Sequence, residues 1–201
     1  MKVAVQCVPS RARSVASIRD KITSLGVEVK PYMDFDHKGT MWNFTRIIND
    51  EDYIKDDYLL ILQDDVIFNE CFDYSVFEVL KYMKSNSIGC VSLFSPPRKY
   101  YKEEHKKGTK YYVEKNYLWQ PAIILSPSFR KGLIDYKFET THDDCFVGSY
   151  AKENKDYVQV TIPSLVRHDL NIKSTLGTPA KIGNLVRDTY IFHPVEKNYF
   201  L

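Results

Sequence analysis

The first 33 residues limit the fold more than any other stretch of this chain. Residues 3–8, VAVQCV, are apolar and rich in valine, and read as a strand that stops at Pro9-Ser10. Val15, Ile18, Ile22 and Leu25 then recur at helical spacing, and Gly26 stands where a helix-ending glycine belongs. VEVKPYM, at 27–33, reads as a second strand. A strand, a helix and a strand in that order make a βαβ unit, which builds parallel sheet.

The alternation continues. A polar turn, DFDHKGT (34–40), leads to an amphipathic helix over MWNFTRII (41–48) and then to the strand YLLILQ. Val76, Val79, Leu80 and Met83 mark another helix, and IGCVSLF (88–94) another strand. YLWQPAIILSPS returns to strand character, with Ser128 as the expected cap of a short helix. HDDCFVGSYAKEN (142–154) reads as a further helix and YVQVTIPSLV (157–166) as the last strand. With 201 residues, one compact domain is expected. It is α/β, with a mostly parallel central sheet flanked by helices over 1–170. The remaining residues, 171–201, are expected to form a tail packed on the same domain.

Composition removes several function classes. A net charge of +2 argues against a chain that is polybasic throughout, as a general nucleic-acid binder would be. Cys7, Cys71, Cys90 and Cys145 show no metal-site spacing, so free thiols in a reducing cytoplasm are expected. The start MKVAVQCVPSR turns polar too soon for a signal peptide, and no run reaches the ~18 apolar residues of a membrane span.

Chemistry concentrates at LLILQDDVIF, 59–68, where a core strand runs straight into Asp64 and Asp65. The plain reading is a solvated strand tip. The other is a shared divalent cation, manganese or magnesium, which offsets the repulsion of two carboxylates and holds phosphate oxygens. In α/β sheets ligands bind beyond the carboxyl ends of the strands, which is where these two acids stand.

LILQDDV resembles the LILEDDV-type motif of lipooligosaccharide and collagen galactosyltransferases, with Gln63 in place of a glutamate. The resemblance implies a GT-A-like domain that takes a nucleotide sugar as donor and holds its diphosphate through a metal. It assigns Asp65, then Asp64, to the metal, with His168, at the end of PSLVRH, completing the shell. Pro9, Arg11 and Arg13 match the first nucleotide-binding loop. Asn43, in Gly39–Asn43, matches the nucleoside pocket. Gln63 and Asp64 add donor contacts, and Trp119 and Gln120 match the strand that closes the sugar pocket. Asp143 and Asp144 stand where inverting members carry an acidic motif, Asp144 as general base and Asp143 holding a hydroxyl.

Each assignment has a plainer counterpart. Two acids in a first helical turn stabilise the dipole by ~0.3–1 kcal/mol without any catalysis. His168 suits a surface histidine equally well, and His193 is a rival ligand. RKYYKEEHKKGTKYYVEK, 98–115, holds seven lysines and arginines among four tyrosines. It reads as a solvated excursion or as an acceptor-side lid, with Lys106, Lys107 and Lys110 tracking phosphates. The acceptor is then a glycan or, as in phage-type enzymes, modified DNA. Two other functions compete: a metal-dependent phosphohydrolase or nuclease built on both acidic pairs and His168, and a non-catalytic nucleotide or nucleic-acid binding module.

Overall fold

The computed structural model describes residues 1–95, 111–114, 120–162, 164–169, 171–172, 181–182 and 185–186. The N-terminal βαβ unit forms as its pattern requires: β1 (Lys2–Cys7), a 3₁₀ turn (Pro9–Arg11), α1 (Ala12–Thr23) and β2 (Val29–Met33). Next come α2 (Thr40–Ile48), a short α3 (Glu51–Ile54), β3 (Leu59–Gln63), β4 (Val66–Phe68), α4 (Phe72–Asn86) and β5 (Cys90–Ser92). Beyond these lie β6 (Tyr111–Glu114), β7 (Ala122–Leu125), α5 (Pro127–Asp135), α6 (Asp143–Glu153), β8 (Val158–Thr161) and β9 (Val166–His168). Two further two-residue strands, β10 (Lys181–Ile182) and β11 (Leu185–Val186), pair antiparallel.

Seven strands make one sheet in the order β2-β1-β3-β7-β5-β8-β6. Strands β2, β1, β3, β5 and β8 point one way, while β7 and β6 run against them. The sheet is therefore mostly parallel and covered on both faces, which explains why β1 and β3 are nearly continuous apolar runs. Val3, Val5, Leu60, Leu62 and Ile124 pack with Ile18 and Ile22 of α1 and with Val76, Val79 and Met83 of α4. Ala4, Leu59, Ile61, Ile123 and Leu125 pack on the other face with Phe44 and Ile47 of α2, Phe129 of α5 and Phe146 of α6. Fully burying each of these side chains, Ala4 apart, contributes ~1.5–3 kcal/mol.

Local expectations change at four places. Ser126, not Ser128, caps α5: its hydroxyl accepts from Phe129 N at 3.2 Å, and Pro127 follows at the first helical position. The stretch YVQVTIPSLV is not one strand. Strand β8 stays in the main sheet, and β9 leaves it to pair antiparallel with β4, setting Val66 opposite His168. The apolar end of the acidic motif forms the separate strand β4, and α3 is a short helix absent from the sequence-based expectations.

Buried Arg130 of α5 joins that overlooked helix to its neighbours. It donates to the carbonyls of Ile48 and Lys55 at 2.7 Å each and to both carboxylate oxygens of Glu51. The side chain thus satisfies carbonyls that the ends of α2 and α3 leave open. All four cysteines are free thiols.

Candidate functional site

Strands β1 and β3 end side by side, with Gln6 in register with Gln63. The chain leaving β3 delivers Asp64 and Asp65, both buried. Asp64 Oδ2 accepts from the Val8 amide at 2.9 Å, and its Oδ1 accepts from Arg11 Nη1 at 2.5 Å. The same guanidinium nitrogen lies 3.5 Å from Asp65 Oδ2. Asp65 Oδ1 faces His168 Nδ1 at 3.2 Å. Burial pushes the Asp64 carboxyl up from its ordinary range, against the pull of Arg11.

Pairing of β4 with β9 is what brings His168 here, and the Asp169 amide donates to the Asp65 carbonyl at 2.6 Å as part of the same junction. The imidazole packs edge-on against Phe94 at 5.7 Å and is buried. The two carboxylates match the oxygen-donor chemistry of manganese or magnesium, and of the two ions manganese accepts the imidazole more readily. Among the described residues no three His, Cys, Asp or Glu side chains form a ready metal cage. A metal–diphosphate complex needs none, because one or two carboxylates share the ion with phosphate oxygens. Asp64 also lines a cavity of about 450 Å³ together with Ser14, Ser17, Phe68, Asn69 and Asp169. That is room for a ligand of modest size.

The second acidic pair opens α6. Asp143 is buried and Asp144 half-buried. Burial, followed by the neighbouring charge of Asp144, pushes the Asp143 carboxyl up to about 6, while the Gln6 amide favours its charged form. Both acidic pairs therefore meet the end of β1: Asp64 at Val8, Asp143 at Gln6. Gln6 was missed in the sequence, although a lone polar residue inside VAVQCV was the available signal. Its Oε1, Asp143 Oδ2 and both amide atoms of Gln120 are buried without a hydrogen-bond partner. Such atoms cost ~1–3 kcal/mol each, and functional sites are where that cost is commonly borne.

The remaining residues vary in how they stand. Pro9 and Arg13 are exposed on the turn and first helical residues after β1. Gln63 is half-buried, and its backbone N–H donates to the Pro121 carbonyl at 2.8 Å, beside Gln120. Asn43 is buried near the start of α2. Its amide donates to the Tyr32 carbonyl at 2.6 Å and its oxygen accepts from Arg46, so the side chain braces α2 against β2. Trp119, Lys106, Lys107, Lys110 and His193 lie outside the described residues, as does most of the basic 98–115 stretch; its residues 111–114 are β6.

No family model and no curated protein sequence matches the chain. Solved structures do. A UDP-glucose pyrophosphorylase without ligand aligns over 80% of this chain and 72% of its own, at 12% identity and a TM-score of 0.50. A UDP-glucose pyrophosphorylase complexed with UDP-glucose aligns over the same shares at 10% identity and a TM-score of 0.50. A Bacillus anthracis protein described as a glucose-1-phosphate thymidylyltransferase, in complex with a sucrose, aligns over 84% of this chain and 89% of its own, at 10% identity and a TM-score of 0.50. At such identities the likeness speaks for the fold: this chain shares the α/β architecture of those nucleotidyltransferases.

Proposed function

We propose that this protein is a metal-dependent glycosyltransferase that takes its sugar from a nucleotide-sugar donor. The observation that carries the reading is the meeting of Asp64, Asp65, His168 and Arg11 at the carboxyl end of β3, with Asp143 at the neighbouring end of β1. Asp65 and His168, with Asp64, would hold manganese or magnesium, which offsets charge on the departing diphosphate. Arg11 neutralises phosphate charge, and Gln120 and Gln6 offer amide groups to sugar hydroxyls. Asp144 faces the acceptor as general base, and Asp143 holds a hydroxyl beside it. A nucleic-acid or glycan acceptor would approach over the basic 98–115 stretch.

A second reading, nucleotidyl transfer, draws on the solved structures of that activity with the same fold. Against it stands the turn after β1, Val8-Pro9-Ser10-Arg11, which has no glycine and is tightened into a 3₁₀ turn. A backbone that cradles a triphosphate needs glycine to approach it closely. A panel of nucleotide sugars with manganese, read by nucleotide release, decides the matter. Release of nucleoside diphosphate supports glycosyl transfer. Release of pyrophosphate from a nucleoside triphosphate and a sugar 1-phosphate, with intact nucleotide sugars untouched, overturns it.

A further inference from the structure

The cavity beside Asp64 has two unlike walls. One is α1, which lends it Ser14, Ser17 and Lys21 at intervals of three and four residues, the spacing of one helical face. The core of the domain does not use these serines: the buried residues of α1 are Val15, Ile18 and Ile22. Neither serine hydroxyl is bonded to another described residue. The opposite wall is β4 and the chain beyond it. Val66 and Phe68, two residues apart and so on one face of the strand, supply apolar surface, and Glu70 and Asp169 supply carboxylates. Phe68 is backed by Phe72, with ring centroids 4.5 Å apart.

We propose that this cavity is a second carbohydrate site, which takes a neutral sugar of one or two rings. A pyranose divides as the cavity does, with hydroxyls around its edge and C–H groups on its faces. Serine hydroxyls both donate and accept, and carboxylates accept, so Ser14, Ser17, Glu70 and Asp169 match the edge. The Phe68 ring matches a C–H face. A volume of about 450 Å³ lies toward the lower end of small-molecule pockets, roughly 300–1,000 Å³. An anion fits poorly. Lys21 is the cation of the described lining, and Asp73 already holds it at 2.6 Å, so a phosphate would meet the carboxylates instead. A lipid chain fits poorly too, since it would bury serine hydroxyls without giving them a bond. The position differs from that of the reacting acceptor hydroxyl. Helix α1 packs on one face of the sheet and α6, which carries Asp143 and Asp144, on the other. Asp64 lines the cavity and belongs to the acidic pair, so a sugar held here lies next to the proposed reaction centre, yet its binding does not depend on that reading. Its source is the far residue of an acceptor glycan or a free sugar.

Lactose and maltose are the probes, followed by amide-shift mapping on the ¹⁵N-labelled chain. Shifts should gather at residues 14–21 and 66–70 and leave 143–146 unmoved. Replacing Ser14 and Ser17 together by alanine removes both hydroxyls from a helix that alanine suits, so the fold should hold. Sugar affinity should then fall about tenfold or more. Phe68→Leu keeps the strand apolar but removes the ring, and it should weaken binding as well. Glucuronate, and pyrophosphate with Mn²⁺, should leave residues 14–21 unmoved. With a disaccharide acceptor, a raised KM and unchanged kcat in the serine variant identify the far residue of the acceptor. Lost sugar binding with KM unchanged identifies a free sugar. Shifts that gather at Gln6 and 143–146, or a folded serine variant that binds like the parent, overturn the site and leave the proposed function standing. So does the absence of any shift at ~10 mM of either sugar. Pyrophosphate that moves 14–21 makes the cavity a phosphate site and refutes the sugar. If no nucleotide sugar is turned over while lactose or maltose still moves 14–21, the proposed function fails and the carbohydrate site holds.

Discussion

Asp65 and His168, 103 residues apart in the chain, face each other at 3.2 Å through Oδ1 and Nδ1. The contact depends on a small antiparallel pairing, Val66 against His168, that lies outside the main sheet. A metal site built this way draws one ligand from each side of the β4–β9 junction. Replacing Asp65 by Asn should abolish metal-dependent binding of a nucleoside diphosphate. Far-UV circular dichroism should stay that of the parent, because the amide retains the shape. Calorimetric titration with the nucleotide and Mn²⁺ checks this; equal metal-dependent affinity in the variant would refute the role.

His168→Ala removes the imidazole but leaves both carboxylates. Manganese affinity should fall by about tenfold or more, and activity should recover at higher metal concentration. The loss also opens a hole beside Phe94, so a lower melting temperature is expected alongside. An unchanged metal titration with a lowered melting temperature would make the histidine a packing residue only.

Asp143 makes a prediction about pH. Its carboxyl is held at about 6 when folded, against 3.8 for the ordinary group. The folded state therefore keeps a proton that the unfolded state releases between those values. Stability from this group is fully present below about pH 4 and is lost as pH rises through 6, by roughly 3 kcal/mol at ~1.4 kcal/mol per unit. Asp143→Asn should flatten that part of the profile and be more stable than the parent at neutral pH. Urea denaturation between pH 4 and 7 measures both, and parallel profiles would show that the carboxyl is not held up.

Asp144→Asn separates a base from a dipole contact. As general base, the residue should cost about 10²–10⁴-fold in single-turnover transfer with donor binding preserved. As a first-turn acid it should cost only ~0.3–1 kcal/mol of stability, with turnover nearly intact. Rate and melting temperature, measured on one preparation, distinguish the two. Retained anomeric configuration in the product would exclude the base role whatever the rate.

Arg130 tests the scaffold and not the chemistry. Arg130→Ala strands the Ile48 and Lys55 carbonyls and empties a fully buried volume. A loss of about 2–4 kcal/mol is expected in urea denaturation, with Mn²⁺ affinity unchanged at temperatures where the variant is folded. A loss below ~1 kcal/mol would mean that water replaces the guanidinium.

Local pattern was enough to read the βαβ start, the alternation that follows and the acids at the end of β3. Apolar period and turn residues act over a few neighbours, so a sequence displays them openly. The same locality explains the misreadings. That the Asn43 side-chain amide donates to the Tyr32 carbonyl is visible only once α2 lies on β2. YVQVTIPSLV has the apolar content of one strand, and nothing local shows that its second half abandons the sheet for β4. Gln6 stood in plain view as the polar residue of an apolar strand, but its bearing on Asp143 required α6 to pack over the end of β1. The sequence by itself determined the α/β class and which carboxylates lie at strand and helix ends. Only the tertiary structure decided that Arg11 bridges Asp64 and Asp65 and that His168 closes on Asp65. Charge pairing acts through space, and its partners are chosen by which chain ends the packed sheet brings within a few ångströms.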